Sequence, residues 1–345
     1  MLDITELQKY DTQEMYKVYD QWPTIAKNSY MTKFESLSFE NIDHIVFVGM
    51  GGSGTIGDLF SSIFSQTDIH ISIVKGYFLP KTVDKNTLVI VTSISGNTVE
   101  VINVLKQSLK HTSKIACFTA GGKIETMCKS NNITYYNIPK IHSPRASFTA
   151  FLYSMLNIMK NIIPLTENDV LDSIAELSET CTKICSSNIT KSNIALLLCD
   201  YISGIPLIYY PFGLKPVATR LKNCLQENAK THAITENIIE ASHNGITAWE
   251  KPTVVQPILI KGFHDNKKTK ERWSVWEKYF QNNNINFFSL CSRDSNILSK
   301  IINMIYIVDY ATIYYSAKIK VDPSPVESIM YVKKNISDET IDPDE

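Results

Sequence analysis

"GMGGSGTIGD", Gly49 to Asp58, follows directly on the apolar run "HIVFV", His44 to Val48. A strand that turns through glycines into a helix directs unpaired backbone N–H groups and the positive end of the helix dipole at one point, which favours an anion such as phosphate. The glycines also fit the dinucleotide fingerprint G-x-G-x-x-G, although the next predicted strand ends in Lys75 and not in an acidic residue. A tight turn without a ligand is the third interpretation of this stretch.

Short β-rich runs alternate with helical segments along the rest of the chain. The predicted strands are "HIVFV", "IHISIV", "TLVIVTS", "SKIACFT" and "ITYYNI" in the first half, and "NIALLLC", "IPLIYY", "VVQPILIK" and "INFFSL" in the second. Helices are predicted over 214–227, 267–283 and 295–318. This alternation is typical of α/β proteins with a parallel sheet. A mostly helical stretch that breaks near Pro164 separates the two series, so we expect two domains, 1–160 and 161–345.

Composition excludes several classes of partner and site. The net charge is −1, with 34 basic and 35 acidic side chains and no block of like charge, so we expect no binding to nucleic acid or to a membrane surface. The amino terminus does not resemble a secretion signal, and "IINMIYIVDYATIYY" carries Asp309, so this run is predicted to be a buried helix. Seven cysteines without paired C-x-x-C spacing predict free thiols in a reducing compartment and no metal site. The terminal "SDETIDPDE" is expected to be frayed and solvated.

A second polar turn, "TSISGNTVE" at 92–100, follows another predicted strand of the first sheet. In a parallel sheet, ligands bind beyond the carboxyl ends of the strands, so Ser53 on one loop and Ser93, Ser95 and Thr98 on the other are candidates for binding one anion. Hydroxyls and N–H groups without a Walker lysine favour a phosphate monoester over a nucleoside triphosphate. Alone, "SISGNT" also fits a simple helix cap.

Five segments in order resemble the sugar isomerase (SIS) domain family, specifically its bifunctional phosphoglucose/phosphomannose isomerases. They span 49–334 and read "GMGGSGTIGD", "SISGNTVE", "SPRASF", "GLKPVATRLKNCLQENAKTHAITENIIEASHNGITAWE" and "VDPSPVESIMYVKK". The resemblance implies two tandem SIS domains, each a doubly wound, flavodoxin-like and mainly parallel sheet flanked by helices. It also implies a cytoplasmic homodimer that interconverts glucose 6-phosphate or mannose 6-phosphate with fructose 6-phosphate through an enediolate, without a cofactor or metal.

The family's site residues have matches in this chain. The phosphate site resembles Gly52, Ser53, Ser93, Ser95 and Thr98. The resemblance implies that Glu227 is the proton-transferring base and that Arg145 stabilises the developing negative charge. His243, which relatives contribute across the subunit interface, and Lys333 match the groups for ring opening, although Lys334 is adjacent.

Other interpretations remain open for these residues and for the whole chain. Glu227 is also a candidate for a capping or solvated charge, with Glu240 nearby in sequence, and Arg145 for a surface residue. A non-catalytic sugar-phosphate sensor and a nucleotide-dependent oxidoreductase are the alternative functions. The chain departs from the family pattern at three positions that bear on substrate choice and helix capping: Gly245, Lys320 and Ser324.

Overall fold

The computed structural model describes residues 2–336 and divides into two units. Among the described residues, the unit called the first unit here contains 24–167 and 326–336, and the second unit contains 2–23 and 168–325, so neither unit is continuous in sequence. The expected boundaries, 1–160 and 161–345, remain a prediction about the domains and differ from these units at both chain ends. The predicted frayed tail, "SDETIDPDE", lies outside the described residues.

Fourteen helices and nine strands are numbered here in chain order, over the part of the chain that the structure describes. The helices are α1 Ile4–Tyr10, α2 Met15–Asp20, α3 Trp22–Met31, α4 Gly51–Ile63, α5 Val99–Ser108, α6 Gly122–Ser130, α7 Phe148–Ile158, α8 Glu167–Ile184, α9 Ile194–Tyr201, α10 Lys215–Ala229, α11 Ile238–Ala241, α12 Lys267–Asn282, α13 Ile297–Lys318 and α14 Glu327–Asn335. The strands are β1 His44–Val48, β2 His70–Val74, β3 Thr87–Ser93, β4 Ile115–Thr119, β5 Thr134–Asn137, β6 Ile205–Tyr210, β7 Ile234–Asn237, β8 Val255–Lys261 and β9 Phe288–Cys291.

The first sheet has five parallel strands in the order β2-β1-β3-β4-β5. Every residue of β1, β3 and β4 is buried, which explains their continuous apolar runs, because helices cover both faces of such a sheet. The chain passes from β1 outward to β2 and then returns to β3 on the other side of β1. This reversal of strand order creates a crevice at the carboxyl ends of β1 and β3, where ligands bind in doubly wound folds.

The second sheet has four parallel strands in the order β7-β6-β8-β9. The two sheets confirm the predicted α/β, doubly wound architecture. The prediction of a strand at "NIALLLC" is wrong, because this segment forms α9. The side chain of Asn193 accepts hydrogen bonds from the N–H groups of Ala195 and Leu196, 2.9 and 3.2 Å away, and so starts a helix. A short apolar run alone does not distinguish a buried helix from a buried strand.

Helix α13 is the centre of the second unit's helical layer. It alone among the helices within residues 2–336 is long and apolar enough to cross a membrane, and 83% of its apolar window is buried within the protein. It packs against α10 and α9, so the expectation of a buried helix is confirmed. Asp309 lies wholly buried on α13 and pairs with Arg220 of α10, 2.6 Å from the nearer guanidinium nitrogen. This pairing allows a carboxylate to sit inside an apolar helix layer.

Candidate functional site

Two helices begin at the crevice between β1 and β3. Helix α4 starts three residues after β1, and α5 starts six residues after β3. The cap residues are Met50 for α4 and Thr98 for α5, and neither side chain makes a capping hydrogen bond. The first N–H groups of both helices and the positive ends of both dipoles are therefore available to an anion.

The glycines of the β1–α4 turn allow close backbone packing. A Cβ at Gly54 would lie 2.7 Å from the carbonyl oxygen of Gly49, and Gly51 has a φ of +52°, in the left-handed region. A larger residue at Gly54 would push the start of α4 away from β1. The tight turn and the anion site are thus compatible interpretations of the same glycines.

Hydroxyl groups cluster on the β3–α5 loop. The Oγ of Ser93 lies 3.1 Å from Thr98 Oγ1, which is also 3.5 Å from Ser95 Oγ. Ser93 Oγ accepts a hydrogen bond from the N–H of Gly96 at 3.2 Å. Ser93 is buried and Ser95 is exposed, so the cluster extends from the sheet edge to the surface. Gly52 and the nearly buried Ser53 lie in the first turn of α4, at the end of the neighbouring strand.

The position that would hold a ribose in a dinucleotide site carries a paired cation. Lys75 directly follows β2, and its ammonium forms an ion pair with the buried carboxylate of Asp58 on α4. The Lys75 side chain packs so closely that its Cε would lie 2.9 Å from a Cβ at Gly54. This arrangement does not offer the carboxylate that receives a ribose hydroxyl, which opposes the dinucleotide interpretation.

Arg145 is buried in the turn that precedes α7. Only 3% of its surface is exposed, and its neighbours Ala146 and Ser147 are also buried. It is therefore not the surface arginine that the sequence allowed. Arg145 belongs to the same unit as the two hydroxyl-bearing loops.

Glu227 lies half-buried in the last turn of α10, in the other unit. The helix ends at Lys230, which adopts the left-handed conformation at φ +52°. Its ammonium donates to the carbonyl oxygens of Glu227 at 2.8 Å and Asp322 at 2.9 Å. This lysine joins the "ENAK" and "VDPSP" segments and so fixes the backbone that carries Glu227. Lys320, one of the positions that depart from the family pattern, also has a positive φ of 62°, in the left-handed region that glycine adopts most easily.

His243 is exposed just beyond α11. Its backbone N–H donates to the carbonyl oxygen of Glu240, 2.8 Å away. The side chain of Asn244 caps the next turn by accepting from the N–H of Gly245 at 2.5 Å, and its amide donates to Glu240 Oε1 at 3.0 Å. These hydrogen bonds stabilise the short turn from which the imidazole of His243 extends.

Glu236 is a feature of this turn that the sequence analysis did not identify. Its carboxylate occupies the space beside Gly245, where an added Cβ would lie 2.8 Å from Glu236 Oε1. Burial, with a further contribution from Glu240, raises the pKa of the Glu236 carboxyl. Glu236 lies in the edge strand β7, which the sequence analysis did not predict. No sequence pattern indicates its contact with Gly245.

Lys333 lies on α14, a helix without a buried residue. Lys333 and Lys334 are both exposed, so the structure does not distinguish between them. The helix is grouped with the first sheet's unit and not with that of Glu227 and His243. Within residues 2–336, no three His, Cys, Asp or Glu side chains come together as a metal site.

Comparisons with known proteins agree with this architecture. A family model described as the SIS domain matches residues 38–162, and one described as the bacterial phospho-glucose isomerase C-terminal SIS domain matches 191–336. A bifunctional phosphoglucose/phosphomannose isomerase from Thermoplasma volcanium is 30% identical, over 88% of this chain and 94% of the relative. Another from Aquifex aeolicus is 26% identical, over 94% of this chain and 98% of the relative.

A solved structure supports the fold alone. The C-terminal domain of glucosamine-fructose-6-phosphate aminotransferase from Francisella tularensis superposes with a TM-score of 0.67 at 16% identity, covering 89% of this chain and 97% of that domain.

The resemblance found in the sequence is confirmed by the two family models and by the identity to these relatives over most of the chain. The chain belongs to the SIS-domain proteins of the bifunctional phosphoglucose/phosphomannose isomerase family.

Proposed function

We propose that this protein is an aldose–ketose isomerase that interconverts glucose 6-phosphate, and also mannose 6-phosphate, with fructose 6-phosphate. The observation that carries the proposal is the pair of helix starts without side-chain caps, α4 and α5, beside a hydroxyl cluster at the carboxyl ends of adjacent strands. Such a site suits the phosphate of a sugar monoester. Because the chain belongs to a family of phosphosugar isomerases, we propose isomerisation as the reaction that this site catalyses.

The phosphate would be bound by Gly52, Ser53, Ser93, Ser95 and Thr98. The helix N–H groups supply most of the donors, and the hydroxyls complete the shell around the phosphate oxygens. These contacts hold the substrate in the same way before and during the reaction, so their main contribution is to binding.

Glu227 is proposed as the base that moves a proton between C1 and C2. Lys230 binds the backbone carbonyl oxygen of Glu227 and so holds the last turn of α10, which supports a fixed placement of this residue relative to a bound sugar. Arg145 would stabilise the negative charge that develops on the enediolate oxygens, because a guanidinium stays charged at every physiological pH. His243 and Lys333 are proposed to open the sugar ring by protonating its oxygen.

The reaction requires no cofactor, because hydrogen moves within the substrate and the sugar undergoes no net oxidation. The enediolate has no stereocentre at C2, so one intermediate serves both the glucose and the mannose epimer. We also propose, from the family resemblance, that the protein is a cytoplasmic homodimer in which His243 of one subunit serves the site of the other. The two SIS domains are proposed to correspond to 1–160 and 161–345.

The test follows deuterium at C2 of glucose 6-phosphate. The wild-type protein should release the label to water while forming fructose 6-phosphate, measured by NMR and a coupled assay. Glu227→Gln removes the basic lone pair at nearly constant size and should lower both rates by roughly 10²-fold or more. Glu240→Gln, the matched control, should retain most of the activity.

Three outcomes would each contradict a part of the proposal. If the Glu227→Gln protein exchanged deuterium at the wild-type rate, another group would be the base. If the wild-type protein bound glucose 6-phosphate but neither exchanged nor isomerised it, the protein would be a sugar-phosphate sensor. A lack of both turnover and competition by mannose 6-phosphate would remove the second substrate.

A further inference from the structure

A cavity of about 270 Å³ lies in the second unit beyond the carboxyl end of β9. It is bounded by β9 and the segment that leaves it, by the first three turns of α13, and by one residue each of α8 and α9. Its volume is near the lower end of the ~300–1,000 Å³ range that small-molecule sites occupy. The residues proposed for the isomerase site do not line it.

A buried hydroxyl without a partner lines this cavity. Ser299 is fully buried, and its Oγ makes no hydrogen bond to any of residues 2–336. Its backbone N–H is already bound by the cap residue Asn296 at 2.9 Å, so only the hydroxyl lacks a partner. A buried polar group in this state destabilises the folded protein unless a ligand or water satisfies it.

The adjacent Lys300 is an ammonium in an unfavourable position. It is partly buried, lines the same cavity, and forms no ion pair or side-chain hydrogen bond with the residues that the structure describes. It lies in the first turn of α13, where the positive end of the helix dipole disfavours a cation. Burial lowers the pKa of this amine, against an opposing effect of Asp265. A bound anion would relieve both the burial and the dipole penalty.

The other charged groups around the cavity already have partners. Arg293 pairs with Glu179 at 3.1 Å. Glu176 Oε2 accepts from Ser295 Oγ at 3.0 Å and from the Asn303 amide at 3.4 Å. Asn303 is occupied as well, because its Oδ1 accepts from the Thr180 hydroxyl at 2.6 Å and its amide donates to the carbonyl oxygen of Ser299 at 2.9 Å. Lys300 and Ser299 therefore offer donors for an oxyanion, and the Glu176 carboxylate offers an acceptor for the hydroxyl groups of a ligand.

We propose that this cavity is a second ligand site, for a small hydroxylated metabolite that carries a phosphate or carboxylate group. Lys300 and Ser299 bind the oxyanion, and the Glu176 carboxylate accepts hydrogen bonds from the hydroxyls of the ligand. The site is separate from the proposed substrate site, and its occupant would act as an effector or as an alternative ligand.

The experiment measures binding of glycerol 3-phosphate by calorimetry to the full chain with Ser53→Ala and Ser95→Ala, which weakens the proposed substrate phosphate site. Adding Lys300→Met should weaken the remaining binding by about tenfold or more, since it removes a charge-assisted contact. Lys278→Met, which removes an exposed lysine of α12, is the matched control and should leave the affinity unchanged.

Two further readouts guard against a folding artefact. Ser299→Ala should weaken binding severalfold with little change in packing volume. Lys300→Met without ligand should raise the melting temperature, because it removes a buried cation from the start of α13.

Glycerate and inorganic phosphate, each measured in place of glycerol 3-phosphate, identify the group that supplies the oxyanion. Tight binding of glycerate identifies a carboxylate ligand. Binding of glycerol 3-phosphate, with no binding of glycerate or inorganic phosphate, identifies a phosphate ester.

The proposal is overturned if neither glycerol 3-phosphate nor glycerate binds at millimolar concentration. It is equally overturned if either binds with the same affinity to the Lys300→Met and Lys278→Met proteins. Neither result depends on isomerase activity, so a failure here and a failure of the proposed function are distinguishable.

Discussion

At the residue scale, the proposed phosphate site contains serines that differ in burial around a single crevice: Ser53, Ser93 and Ser95. Ser53 and Ser93 are buried, whereas Ser95 is exposed. The sequence predicted these hydroxyls as a set because they follow two strands of one sheet. Their difference in burial depends on how α4 and α5 pack, and no local pattern encodes it.

The phosphate site makes a prediction about the two kinetic constants. Ser53→Ala combined with Ser95→Ala should raise KM for fructose 6-phosphate on the order of 10²-fold, with a much smaller change in kcat, because phosphate contacts contribute to ground and transition states alike. Ser61→Ala, on the same helix but nearly three turns from its start, is the control and should leave KM unchanged. A double variant with wild-type KM would exclude these hydroxyls from the site.

His44 makes a prediction about stability and pH. Its buried ring accepts or donates at Ser72 Oγ, 2.9 Å from Nε2, and lies 4.8 Å from the ring of His70. Burial and His70 lower the pKa of His44, while Asp43 and Asp84 oppose the shift. The unfolded chain therefore binds this proton more readily than the folded protein.

The stabilising contribution of neutral His44 is full above the unfolded pKa of about 6.5 and is lost as the pH falls through the lower folded value. The free energy of unfolding, measured in urea, should accordingly fall as the pH drops below about 6.5. His44→Gln should flatten this dependence, whereas replacing the exposed His111 by Gln should not. An unchanged slope in the His44 variant would assign the pH dependence to other groups.

At the scale of elements, the central pair of helices in the second unit is α10 and α13. Helix α10 contains the proposed base, Glu227, and packs against α13. The Arg220–Asp309 pair joins them in a fully buried position, where Asp309 also accepts from the hydroxyl of Tyr19 at 3.3 Å and the thiol of Cys224 at 3.3 Å. Burial raises the pKa of Asp309 and the guanidinium opposes this rise, so the pair depends on both partners. The sequence indicated a buried Asp309 but not its partner, which is 89 residues away.

Arg220→Met should leave a carboxylate buried without its cation and lower the free energy of unfolding by about 3–5 kcal/mol. The double variant with Asp309→Leu should recover most of this loss, because it removes both charges. Urea midpoints measure both effects. Lys318→Met, which breaks the surface pair with Asp200, is the control and should cost less than about 1 kcal/mol. A small loss in Arg220→Met would mean that Asp309 is neutral in the folded protein.

At the scale of the whole molecule, the proposed dimer places one catalytic residue in each neighbour's site. Mixing Glu227→Gln and His243→Ala proteins by joint unfolding and refolding produces mixed dimers in which one site carries both changes and the other carries neither. Random pairing makes half of the dimers mixed, with half of their sites intact, so roughly a quarter of the wild-type activity should return. Each variant refolded alone is the control. If the mixture is no more active than these controls, His243 serves its own subunit.

The alternation of apolar runs and helical segments determined the fold class without any structure. Buried parallel strands must be apolar along their whole length, and a glycine-rich turn into a helix must present its N–H groups, so β1, β3 and their loops were readable locally. The site residues were identified through segments in the family's order and not through local physics. Glu227 and His243 have no spacing that would distinguish them from other charged residues.

Only the tertiary structure decided the features that depend on distant segments. It made "NIALLLC" a buried helix, because α13 packs against it. It placed Tyr19 and Trp22 beside α13, where the Tyr306 hydroxyl donates to the carbonyl of Tyr19 at 2.6 Å, so the first residues join the second unit. It also left Lys300 partly buried and without an ion partner among the described residues. Burial and pairing are properties of contacts between remote parts of the chain, and a sequence pattern reports only its own neighbourhood.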